Sequence, residues 1–194
     1  RHAGAARLTR SHEGATPLNI AWVARDGYAD LFPKIQQRLA GSVDTKAFYL
    51  CHTRDQAIHL AAHHDISDAV VIAKGVAAFD PSQTPSQELD EFAKKYGGVP
   101  LIRCLWSTMF ELNIDEAEVA KQALGHFKFW EGYLLENDID VLVYERPSIM
   151  SSCIAWLVCQ QLGVEALDFV DTAVDTMTIT TSWRGDYAEE LKES

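Results

Sequence analysis

Basic residues are scarce in this chain: Lys and Arg total 17 against 28 Asp and Glu, a formal charge of -11 over 194 residues. Phosphate backbones are held by clustered cations, so a nucleic-acid surface is excluded as the main business of the protein. No apolar run approaches the ~18 residues of a bilayer span, and the N-terminus lacks the apolar stretch of a secretory signal. The expectation is a cytoplasmic protein, compatible with peripheral contact at a membrane surface. Cysteines number four, Cys51, Cys104, Cys153 and Cys159, with no CxxC among them. Their apolar surroundings point to reduced, buried thiols rather than to a zinc site or a disulfide framework.

Several motifs are missing as well. The 11 glycines never form GxGxxG or GxxxxGK[ST], so neither familiar phosphate-cradling loop is available. No Gly-x-Ser-x-Gly elbow occurs, which removes one family of serine hydrolases. No HExxH occurs either. His59 and His63 have the i, i+4 spacing of metal ligands, but with His64 they read as a solvated helix face without a carboxylate partner, and no metal site is expected.

What is present is an alternation of apolar strands and amphipathic helices. At 47% hydrophobic and 23% charged, the chain can bury a substantial core. "LNIAWVA" at residues 18–24 reads as a buried strand, followed by a helix over 28–39. "KAFYLCH", "RDQAIHLAAHH" and "DAVVIAKGV" then read as strand, helix and strand. A helix over 88–96 with Ser86 as N-cap comes next, and "VPLIRCLW" resumes the strand pattern. A long helix over 115–137, a strand over 140–144, a helix over 151–162 and the strand "EALDFV" complete the pattern, and a Thr-rich segment over 172–182 has strand character.

Such alternation predicts an α/β fold, a single Rossmann-like domain with a mostly parallel sheet covered by helices on both faces. Residues 18–182 form that domain, preceded by a flexible basic arm over 1–17 and followed by a charged tail over 183–194. In open parallel sheets, ligands bind beyond the carboxyl ends of the strands. The candidate residues are therefore those that follow each strand.

After the first strand stand Arg25, Asp26, Gly27 and Tyr28. Asp26 at a helix entrance can serve as a general base; the plainer alternative is that Asp26 and Gly27 make the turn and cap the helix. At "YERPSIMSS", Glu145 can accept from sugar hydroxyls or act as a base. Arg146 can pair with a phosphate, and Ser148, Ser151 and Ser152 offer hydroxyls beside the free amides of a new helix. A surface ion pair with a capped helix is the alternative there. Trp106 can stack on a sugar or pack in the core, and His52 lies just past the second strand.

The segments "LFPKIQQRLAG", "FKFWEGYLLENDIDVLVYERPS" and "LVCQQLGVEALDF" together resemble the N-terminal half of GT-B-type glycosyltransferases, with most likeness to bacterial capsule and surface polysaccharide biosynthesis proteins. The resemblance covers most of residues 18–170. It implies an acceptor-side domain that meets a carbohydrate acceptor, while a second Rossmann-like domain holds the nucleotide sugar donor; no resident cofactor is implied, and the lobe alone would be inactive. It places Asp26 and Glu145 in catalytic roles and Arg25, Gly27, Tyr28, Trp106, Arg146 and Ser148 on the substrate. The glycine-rich first loop of some relatives is missing. A sugar-nucleotide epimerase lobe and a non-catalytic flavodoxin-like binding module are the alternatives.

Overall fold

A computed structural model describes residues 16–79, 85–96, 116–145, 149–171 and 177–180. The chain opens with β1 (Leu18–Val23), α1 (Tyr28–Ala40), β2 (Thr45–Cys51), α2 (Arg54–His64), β3 (Val70–Val71) and α3 (Ile72–Ala77). It continues with α4 (Pro85–Lys95), α5 (Glu116–Glu136), β4 (Val141–Glu145), α6 (Met150–Leu162), β5 (Glu165–Asp171) and β6 (Met177–Thr180). The sheet order is β3-β2-β1-β4-β5-β6. The first five strands are mutually parallel and β6 runs antiparallel to β5.

Strand alternation builds two cores. In β1, Ile20 and Trp22 face one side of the sheet and join Phe32 of α1 and Leu60 of α2, all buried. Ala21 and Val23 face the other and join Phe127 and Trp130 of α5 and Ile154 of α6. Each large side chain fully buried in this way contributes about 1.5–3 kcal/mol, and two covered faces explain the near-continuous apolar strands. No helix among the described residues is long and apolar enough to cross a membrane.

Polar contacts fix the amino-terminal edge. Asn19 donates through Nδ2 to the carbonyl of Asp138 at 2.9 Å, and its amide donates to Asp140 Oδ2 at 3.0 Å, so β1 and the start of β4 are pinned side by side. Buried Gln36 accepts from Trp22 Nε1 at 2.9 Å and donates to Thr45 Oγ1 at 2.8 Å, which ties α1 to β1 and β2.

Two sequence expectations need correction. The segment "DAVVIAKGV" is not one strand: only Val70 and Val71 pair, with Leu50 and Cys51. Cys51 is the last residue of β2, so beyond Val71 no neighbouring strand among the described residues accepts a ladder. The chain satisfies its own backbone by coiling into α3. Ser86 is likewise no N-cap, because α4 already begins at Pro85, a residue suited to a first helical turn. Within the segment 172–182 expected to have strand character, Met177–Thr180 form β6, and the rest of that segment lies outside the described residues. The proposed strand at "VPLIRCLW" and both terminal segments lie outside the described residues.

Candidate functional site

The sheet order reverses direction between β1 and β4, which are direct neighbours with β2 on one side and β5 on the other. This is the topological switch point at which crossovers diverge and leave a crevice. A cleft of about 550 Å³ opens at this edge of the sheet, within the size range of small-molecule sites. Its floor holds His52, just past β2, and the start of α6 at Ile149, Met150 and Ser151. Ile72 and Val76 of α3 form an apolar wall; Glu118, Lys121, Gln122 and His126 of α5 form a polar one.

The helices that make these walls approach closely. A Cβ on Gly125 of α5 would lie 2.8 Å from Val76 Cγ1 and 3.1 Å from the Val76 carbonyl oxygen. The small residue therefore sets how near α3 can come to α5, and with it the width of the cleft.

Three side chains interlock at the floor. Tyr144, the fourth residue of β4, sits 2.8 Å through its hydroxyl from His52 Nε2 and donates to Ser151 Oγ at 3.4 Å. In the tautomer that carries its proton on Nε2, His52 donates to the Tyr144 oxygen and its lone pair lies on Nδ1; in the other, Tyr144 donates to Nε2. Trp130 packs against Tyr144 with ring centroids 6.0 Å apart. The first amides of α6 have no intrahelical acceptor, and the helix start carries partial positive charge. Ser152 Oγ accepts from the Ile149 amide at 3.3 Å and donates to the Ile149 carbonyl at 2.9 Å, shaping that first turn.

Burial keeps the two imidazoles of the site neutral. Burial, followed by the positive charge of Arg25, pushes the His52 imidazole down to about 4, against a smaller opposing effect of Asp26. Burial pushes His126 down to about 4 as well, and nearby His52 adds to this. Both rings are uncharged at neutral pH. His126 Nδ1 is buried without a hydrogen-bond partner among the described residues.

The expected first-loop residues stand on the rim of the same edge. Asp26 occupies the left-handed region at φ 47°, so Asp26 rather than Gly27 makes the turn; Gly27 has φ -61° and caps α1 only through its backbone position. Arg25 Nε donates to Asp26 Oδ2 at 3.1 Å. Gln56 Nε2 donates to Asp26 Oδ1 at 3.5 Å while Gln56 Oε1 accepts from the His52 amide at 2.9 Å. One glutamine therefore joins the first loop to the base of the cleft. Tyr28 is turned to the core, with its ring 5.1 Å from Phe32 and 6.3 Å from Phe169.

Glu145 ends β4, paired in register with Phe169, and thus shares the carboxyl edge with the loop that carries Asp26. Trp106, Arg146 and Ser148 lie outside the described residues. The three described cysteines, Cys51, Cys153 and Cys159, are free and buried, and burial pushes the Cys51 thiol up to about 11. Burial suits them as inert packing groups.

Sequence reasoning named His52 without a partner and passed over Tyr144 and His126. Tyr144 looks like an ordinary strand residue until the sheet order brings β4 within reach of the β2 loop. The signal for His126 was an imidazole beside the apolar stripe of α5, next to Phe127 and close to Trp130. No known protein-family model and no curated protein sequence matches the chain.

Proposed function

We propose that this α/β unit is the acceptor-binding side of a glycosyltransferase of surface polysaccharide synthesis, with the nucleotide sugar held by a second domain. The observation that carries the reading is the neutral His52, buttressed by Tyr144 and Ser151 at the floor of a sugar-sized cleft at the switch point. A saccharide hydroxyl resting against His52 Nδ1 has a base for the proton it loses. That hydroxyl attacks the anomeric carbon, the new glycosidic C–O bond forms as the bond to the nucleoside diphosphate breaks, and the proton passes to the imidazole. Geometry favours His52 over Asp26 as this base, because Asp26 is 70% exposed and already shared between Arg25 and Gln56. Asp26 then acts as a positioning residue for the loop above the imidazole, and Glu145 borders the same edge.

The polar wall of α5 fits a hydroxyl-rich ligand: Glu118 accepts, Lys121 donates, and Gln122 does both. Calorimetric titration of the chain with a panel of mono- and disaccharides, and separately with nucleotide sugars, tests the division of labour. The expected result is saccharide binding weakened by about tenfold in Tyr144→Phe, a loss typical of one hydrogen bond to an oriented group. Nucleotide sugars should bind the chain poorly. Tight nucleotide-sugar binding by this chain alone, unaffected by Tyr144→Phe, contradicts the reading.

A further inference from the structure

On the other face of the sheet from the cleft, three potential ligand atoms converge between α1 and α2. Asp30, in the first turn of α1, points Oδ1 at both His59 Nε2 and His64 Nε2, each at 2.9 Å. All three atoms lie within 4.8 Å of one another. We propose that Asp30, His59 and His64 form a binding site for a divalent transition ion of the zinc type, which clamps α1 to α2. The inference is independent of any reading of the cleft.

The donor set is that of an imidazole- and carboxylate-seeking ion rather than of calcium or magnesium, which take oxygen ligands. Adjacent donors around a tetrahedral ion with bonds of about 2.0–2.2 Å lie about 3.3–3.6 Å apart, so an ion would open each 2.9 Å nitrogen-to-oxygen separation by roughly half an ångström as it replaces the shared protons. The spacing along α2 has a specific cause. Residues five apart on a straight helix are about 140° apart around its axis, too far for a shared ligand without help. Here α2 ends at His64: Asp65 takes the left-handed conformation at φ 58°, and its amide returns to the Leu60 carbonyl. Relieved of a following turn, His64 reaches back beside His59 toward α1.

Asp30 is supplied from a different helix, which is why the i, i+4 pair visible in the sequence, His59 with His63, misidentifies the ligands. His63 instead lays its ring against His59 with centroids 4.5 Å apart and supplies no atom to the trio. The consequence of occupancy is local. His59 lies one helical turn beyond Gln56, the residue that bridges Asp26 to the His52 amide, so a clamp here steadies the loop at the rim of the cleft.

The test is a titration of the purified chain with Zn²⁺ alone at pH 7.5, with thermal unfolding recorded with and without the ion. One site is expected in the unsubstituted chain, weakened roughly tenfold or more by Asp30→Asn and by His64→Gln, while His63→Ala stays within about twofold. The unfolding midpoint should rise with Zn²⁺ in the unsubstituted chain and not in Asp30→Asn, since only binding to the folded state stabilises it. The midpoints without ion show whether each variant still folds. Zinc affinity equal in the unsubstituted chain and the Asp30→Asn/His64→Gln double variant overturns the proposal. So does a loss in His63→Ala as large as that in His64→Gln, which would assign the ion to the helix-face pair instead.

Discussion

At the residue scale, two neutral imidazoles give the protein a pH dependence with a defined sign. His52 and His126 titrate near 4 when folded, whereas an unconstrained imidazole takes up its proton near 6.5. Between those values the unfolded chain binds more protons, so stability falls as pH drops from about 6.5 toward 4 and is unaffected by these groups above 7. The upper bound is about 1.4 kcal/mol per histidine per pH unit, reduced by the partial exposure of both rings. Urea midpoints at pH 7 and pH 5 should differ, and the His52→Gln/His126→Gln double variant should show a smaller difference; an equal one contradicts the burial argument. A second residue-scale test concerns Gln36. Its side chain satisfies the buried Trp22 indole, so Gln36→Ala should cost about 1–3 kcal/mol by chemical denaturation, because it strands a donor that has no water to turn to. Neither contact was legible in the sequence. Gln36 reads as a polar residue on a helix surface, and only the packing of α1 on β1 turns it inward.

At the element scale, most of the described elements could be read from periodicity, and the larger of the two failures is instructive. Helices α1, α2, α5 and α6 begin and end within a residue or two of where apolar spacing, capping residues and glycine stops place them, since those signals act locally. Thr53 and Gln56 form a reciprocal capping box at the start of α2, and Gly163 ends α6 at φ 71°. The run from Val70 to Val76 fails because a short apolar stretch looks the same as a buried strand or a buried helix. What decides it is tertiary: β2 has ended, and Gly75 lets α3 lie against α5. A Cβ at Gly75 would come within 2.4 Å of Phe129 Cδ2, a half-buried ring stacked beside Tyr133. Gly75→Ala therefore sets a gain in helix propensity of about 1 kcal/mol against an overpacking cost of about 1–3 kcal/mol. The expected outcome is a lower unfolding midpoint together with weaker ligand binding, because α3 is a wall of the cleft. A raised midpoint would show that Phe129 gives way freely.

At the scale of the whole molecule, the arrangement that matters is the neighbourhood of β1 and β4. The two strands are far apart in sequence, yet they pair in parallel and are pinned by Asn19 at one edge, so that everything following β1, β2 and β4 emerges at the other. The α/β class was legible from the alternation of elements. The side chains that meet one another at the carboxyl edge were not. Sequence order favours the conspicuous Asp26 and Glu145, while the hydrogen-bonded set His52, Tyr144 and Ser151 is assembled from segments up to 99 residues apart that only the strand order brings together. Occupation of the cleft is most directly tested by amide and imidazole NMR spectra of the chain during titration with saccharides from the binding panel. Shifts should concentrate at His52, Ile72, Val76, His126, Met150 and Ser151 and should shrink in Tyr144→Phe at the same ligand concentration, as about tenfold weaker binding requires. Shifts centred on His59, His63 and Val43, with those cleft residues unmoved, would contradict a ligand site at the β1–β4 switch point.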